Sequence, residues 1–255
     1  MSYKMHKKGQ IAIWIIIIVA IVASFAILFF LRRSPTAALP EETNPQLFVQ
    51  KCIRDNVNDV LKTILPQGGF VDPPNYKLYN NTKITYLCEN RGYYFPCVNQ
   101  HPMLINEVRK EIENNIRIKV DTCYSIMKIQ FEKRQYNVNL DNALNLGVTL
   151  KPGRIDVSVE KKVSLTKGDE NINFDNFAVS VQSHTYELLN LAAEITSQEA
   201  TYCNFEYVGY MILYPDFSIR RDMRTDGTKI YIIKDRRTDE TFQFAIRGCV
   251  IPPGI

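Results

Sequence analysis

The chain has 255 residues, 45% of them hydrophobic, with 31 basic and 27 acidic side chains and a formal charge of +4. Five of the positive charges (Lys4, Lys7, Lys8, Arg32 and Arg33) flank one apolar run, which leaves 26 basic against 27 acidic residues after position 33. The basic balance is therefore a flank effect and argues against a nucleic-acid partner; the densest basic stretch, residues 220–237, is interleaved with Asp222, Asp226 and Asp235.

In chain order the first element is residues 11–31, twenty-one residues without a charge, in which Trp14 and Ser24 supply the only polar side-chain groups. At the helical rise such a run spans roughly 30 Å, the thickness of a bilayer's hydrocarbon core. Fifteen of its residues are Ile, Leu, Val or Phe, and at about −0.3 to −0.6 kcal/mol each they favour insertion by roughly 5 to 9 kcal/mol. The run is longer than the apolar core of a cleaved secretory signal. A single transmembrane helix is the expectation, with residues 1–10 as a basic leader that keeps the N-terminus cytoplasmic. All six cysteines (Cys52, Cys88, Cys97, Cys123, Cys203 and Cys249) follow the run, as expected of a disulfide-bearing region outside the cytoplasm. The sequon Asn80-Asn81-Thr82 agrees and makes Asn80 a candidate glycosylation site. Residues 34–255 are thus expected to be extracellular, tethered to the cell membrane.

Residues 32–45 contain "SPTAALPEETNP", rich in proline, threonine and acid, and read as a stalk. The globular part begins near Gln46. Val49, Cys52, Ile53, Val57, Val60, Leu61 and Ile64 recur at helical spacing until "PQGG" stops them. A second helix is signalled by Ile105, Val108, Ile112, Ile116, Val120 and Cys123. A third is signalled by Leu188, Leu191, Ala192 and Ile195 after a Ser183 cap. Between them the period becomes 2: Ile155, Val157, Val159, Val163 and Leu165 mark a half-buried strand ending at Lys167-Gly168-Asp169. In the return strand Ile172 and Phe174 have one parity and Phe177, Val179 and Val181 the other, so a bulge is expected near Asp175 and Asn176. The last third reads as a meander of strands at 205–214, 217–224, 228–234 and 241–250, with an Asp226-Gly227 hairpin turn. The fold class is therefore α+β, an antiparallel sheet with segregated helices, over residues 46–255, as one domain or as two divided near 150 or 183.

The opening "KKGQ" directly before an apolar run resembles the class III signal peptides of archaeal type IV pilin-like proteins, and "FVQKCI", "QGGF" and "DTCY" are similar to segments of a family of membrane-anchored archaeal surface proteins. The resemblance implies a cell-surface location and cleavage by a prepilin peptidase between Gly9 and Gln10, and it supplies no catalytic residues. Pilin-like chains usually carry a glutamate five residues into the mature protein, where this sequence has Trp14. Anchorage is thus expected to outweigh assembly into a filament.

The chemistry-bearing residues are sparse. Three histidines (His6, His101 and His184) are scattered, and no H-x-x-x-H, G-x-S-x-G or C-x-x-C occurs, so no catalytic residue, cofactor or metal site is expected. "DENINFD" (residues 169–175) spaces Asp and Asn at alternate positions, but Phe174 and Ser180 stand where a calcium loop needs glycine and glutamate, so a turn into a strand is the better reading. "CENRGYYFPC" places Arg91, Tyr93, Tyr94 and Phe95 between two cysteines and is a candidate binding loop, or else a hairpin with half its aromatics in the core. Six cysteines permit fifteen pairings. Cys52 with Cys123 would join two helices, Cys88 with Cys97 would close the aromatic loop, and Cys203 with Cys249 would remain. The expected function is a non-enzymatic surface protein for adhesion, envelope organisation or partner binding, with other surface proteins or glycans as partners. A pilin-like filament subunit and a surface hydrolase are the alternatives.

Overall fold

The structure, a computed structural model, describes residues 17–24, 44–90, 92 and 95–248. It divides into two units, Met1–Thr43 and Asn44–Ile255. In the first, residues 17–24 are helical (α1). Among the described residues no helix is long and apolar enough to cross a membrane. The rest of the expected span at 11–31, the leader with Gly9 and Gln10, and most of the stalk lie outside the described residues.

The second unit is α+β. Helix α2 (Pro45–Ile64) starts where the Asn44 side chain accepts from the backbone N–H of Gln46 and Leu47, with proline at N1. Its apolar stripe, from Val49 through Ile53 and Val57 to Ile64, is fully buried. After a 3₁₀ turn (Leu65–Gln67) the chain reverses through Gly68 and Gly69, at φ +80° and +101°. A Cβ on Gly68 would lie 2.7 Å from Thr85 Cβ and one on Gly69 2.5 Å from Val108 Cγ2. Only glycine supplies both the left-handed backbone and the close approach. Helix α3 (Leu104–Lys133) then runs back along α2. The Cys52–Cys123 disulfide joins them at Cα–Cα 6.0 Å, and Val71 N donates to Glu111 Oε1 at 3.0 Å near the other end.

Two sheets complete the unit. In the first, β1 (Tyr76–Tyr79) and β2 (Thr82–Glu89) form a hairpin whose turn residues, Asn80 and Asn81, have φ +48° and +63°, the conformation of a type I′ turn. With β3 (Val98–Asn99), β8 (Phe217–Met223), β9 (Lys229–Asp235) and β10 (Thr241–Arg247) the order is β1-β2-β10-β9-β8, and β3 pairs with β2. Contrary to the antiparallel expectation, β2 and β10 pair in parallel; so much chain separates them that the crossover a parallel pair needs is already present. The second sheet is antiparallel and built on β6 (Arg154–Lys167). Along one edge of β6 lie β5 (Asn145–Lys151) and β4 (Asn137–Leu140), end to end, and along the other lies β7 (Glu170–Gln182). The register shifts between Glu160 and Val163, opposite Asp175, so the bulge falls at the expected place but its extra residue belongs to β6.

Helices α2 and α3 pack on strands of the second sheet, and α4 (Thr185–Tyr202) touches strands of both. The main core runs from Val49 on α2 through Tyr124 on α3 and Val157 on β6 to Phe244 on β10, and a smaller cluster of Tyr79, Ile84, Tyr86, Ile230 and Ala245 packs separately on the first sheet. Two local expectations are corrected. The N-cap of α4 is His184, and Ser183 Oγ accepts from Thr185 N at 3.1 Å without capping the helix as read. The segment expected as a strand at 205–214 is instead a helix, α5 (Tyr207–Leu213), capped by the Glu206 side chain, which accepts from the N–H of Val208 and Gly209. Its β-forming residues lack a strand partner, and Tyr210 stacks at helical spacing on Tyr214, with ring centroids 4.5 Å apart.

Candidate binding surface

Cys88 lies in β2, and its disulfide to Cys97 (Cα–Cα 5.4 Å) closes the turn that β3 completes by pairing Asn99 with Cys88 and Val98 with Glu89. Of the aromatic-loop residues, Arg91, Tyr93 and Tyr94 lie outside the described residues, and Phe95 is 67% exposed. Val98 beside it is 59% exposed. The closed turn meets the end of α4 at Gly248: a Cβ there would lie 3.5 Å from Cys97 Sγ and 3.9 Å from the Glu199 carbonyl oxygen.

The same end of α4 is fixed by a buried polar network. The Glu199 carboxylate, without solvent exposure, accepts from Lys229 Nζ and from the Tyr231 hydroxyl, and Lys229 Nζ also donates to the Cys203 carbonyl at 2.6 Å. Burial, and then the Glu199 charge, push the Tyr231 phenol far above its ordinary pKa. Tyr231 thus stays a neutral donor. Cys203 ends α4 in the left-handed conformation and is disulfide-bonded; Cys249 lies outside the described residues. Next to this clamp, Tyr202, Ile212 and Leu213 are each about three-quarters exposed, and Val208 and Tyr214 are half exposed. No residue of α5 is buried. An apolar and aromatic surface held on a disulfide-fastened frame is what a protein interface requires, since rigid side chains lose little freedom on binding.

No protein-family model, curated protein or solved structure matches the chain. Function must therefore be read from the residues themselves.

A second polar cluster joins the start of α4 to the β9–β10 hairpin. His184 Nδ1 lies 2.8 Å from Asp235 Oδ2, and the backbone N–H of His184 and the Ser183 hydroxyl donate to Glu240 at 2.6 and 2.7 Å. Arg237 donates to both oxygens of Asp235, at 3.1 and 2.6 Å. Burial opposes ionisation of Asp235, but the hydrogen bonds from Arg237 and His184 outweigh it and hold the carboxyl well below the usual range. A histidine oriented by a buried carboxylate has the form of a general base. Together these bonds fasten the start of α4 to the hairpin. His101 Nδ1 lies 2.6 Å from Glu107 Oε2, at the start of α3. The described residues also hold no group of three or more His, Cys, Asp or Glu that could bind a metal. Asn80 is exposed at its hairpin turn. The α5 surface was not legible as a site in the sequence, because "YVGYMIL" reads as an ordinary buried strand until its lack of a partner is known.

Proposed function

We propose that the chain is a single-pass membrane-anchored cell-surface protein, without enzymatic activity, whose disulfide-fastened apolar end binds another surface protein. The uncharged run at 11–31 supports the anchor. The disulfides Cys52–Cys123 and Cys88–Cys97 support an oxidising, extracytoplasmic setting for residues 34–255. The observation that carries the binding role is the exposure of Phe95, Tyr202, Ile212 and Leu213 beside the clamp at Glu199 and Cys203. In this reading Gly9–Gln10 is the processing site and Trp14 favours anchorage over a filament.

A photo-crosslinking side chain at position 212 of the full-length protein, in its own cell envelope, tests the binding role. Crosslinks to one envelope protein that vanish when Leu213→Glu is added are expected. Crosslinks to lipid alone, or none, would remove it.

A further inference from the structure

The break in the second sheet forms a polar depression away from the apolar end. Strand β6 pairs with β5 through Glu160 and with β4 from Val163, so Lys161 and Lys162 have no ladder partner on that edge. On the other edge, β7 loses register over the same two residues. The chain between β4 and β5 bows outward, tied back by Asp141 N donating to the Lys162 carbonyl at 3.0 Å. Alternation then sends the two lysines to opposite faces. Lys161 turns inward, is 6% exposed, and donates to Asp121 Oδ1 on α3 at 3.0 Å, whereas Lys162 faces outward.

The outward side encloses about 470 Å³, lined by Asn139, Asp141, Asn142, Lys162, Asn173 and Asp175 above apolar flanks from Leu140 and Val163. A neighbouring depression of about 650 Å³ shares Asp141, Lys162 and Asp175 and adds Glu160 and Asn176. Both volumes fall in the range of small-molecule sites, roughly 300–1,000 Å³. The side chains of Asn139, Asn142, Lys162, Asn173, Asp175 and Asn176 make no hydrogen bond or ion pair with any described residue. Asp156, further along the same face, is by contrast consumed by Lys151, Arg154 and Ser180. Four amides, the Lys162 ammonium and the Asp175 carboxylate are therefore gathered at one irregularity with their donors and acceptors uncommitted, whereas Asp141 accepts from Ala143 N and Glu160 from Asn145 Nδ2. Bulges recur at functional sites because they re-aim side chains in this way.

From this geometry we infer that the depression at the β6 bulge is a binding site for a neutral oligosaccharide. Each sugar hydroxyl both donates and accepts, and carboxylates beside primary amides meet that pattern on neighbouring hydroxyls. Leu140, half-buried at the rim, offers a small apolar surface to the C–H face of a ring. The Lys162 ammonium disfavours a metal cation, Asp141 and Asp175 disfavour an anion, and the shortage of exposed apolar surface disfavours a peptide anchor. "DENINFD" acquires a role here: its alternate spacing puts Asn171, Asn173 and Asp175 on the outward face of β7. The site stands whether or not the chain is membrane-anchored.

The test is binding of the full-length protein, in a detergent without a sugar headgroup, to an array of neutral di- to tetrasaccharides of hexoses and N-acetylhexosamines. Hits are then quantified by calorimetry. Binding of at least one member is expected, weakened about tenfold or more by the double substitution Asn173→Ala, Asp175→Ala with an unchanged melting temperature, since neither side chain has a partner to lose. Failure of every member to bind, or binding indifferent to that substitution, would overturn the inference. So would a calcium-induced rise in melting temperature that the substitution abolishes, because the site would then be a cation site.

Discussion

At residue scale, Gly69 and Asp235 each carry a consequence that can be measured. Gly69 combines φ +101° with a Cβ position 2.5 Å from Val108 Cγ2. Gly69→Ala strains the backbone and displaces a fully buried side chain together. A loss of about 2 to 4 kcal/mol in denaturant unfolding is expected, against about 1 kcal/mol for alanine at Gly168, where the space is open and only the positive φ of +58° costs. Asp235 has a folded pKa held below its unfolded value near 4. Its contribution to stability is present above about pH 4 and is lost as the pH falls below that. Asp235→Asn should lower stability at neutral pH by about 2 to 3 kcal/mol, because Arg237 and His184 lose their charged partner. It should also flatten the acid limb of the stability profile, and equilibrium unfolding between pH 7 and pH 2 checks both.

At the scale of elements, the disulfides differ in what they restrain. Cys52–Cys123 closes a loop with a separation of 71 residues and Cys88–Cys97 one of 9. By loop-closure entropy the first stabilises by about 4 kcal/mol and the second by about 3. Replacing Cys52 and Cys123 with serine should therefore lower the unfolding free energy more than the same change at Cys88 and Cys97, although the shorter bridge frames the candidate surface. Unfolding of both double variants decides the order. Helix α5 behaves differently: Ile212 and Leu213 are exposed and pack on nothing that is lost. Leu213→Glu should change stability by no more than about 0.5 kcal/mol, because α5 is held to the core by its other face, through Tyr207, Tyr210 and Met211; a larger loss in denaturant unfolding would show that Leu213 also supports the helix.

At the scale of the molecule, Asn44–Ile255 is one compact unit separate from Met1–Thr43. Deleting residues 1–43 should leave its near-ultraviolet circular dichroism unchanged and release it from the membrane fraction. The full chain should resist carbonate extraction, as an apolar run of this length does. Extraction of the full chain by carbonate would remove the anchor from the proposed function. Intact mass of the native protein checks processing at Gly9–Gln10, since a chain beginning at Met1 or Ser2 excludes it.

The sequence by itself determined what depends on local period and composition. The stripes on α2, α3 and α4 follow from apolar residues every three or four positions, and the strict alternation of β6 follows from burial on one face only. The parity change in β7 marked the bulge because two inward residues three apart cannot share a regular strand. Only the tertiary structure decided matters between distant segments. These are the parallel pairing of β2 with β10, the meeting of Glu199 with Lys229 and Tyr231, and the gathering of Asn142 beside Asn173 and Asp175. Helix α5 shows why. Tyr207 to Leu213 has the composition of a strand, yet it pairs with none: its backbone satisfies its hydrogen bonds internally, Tyr207, Tyr210 and Met211 pack on the core, and Val208, Ile212 and Leu213 are left outside. Partner availability is a property of the whole fold, and no window of sequence contains it.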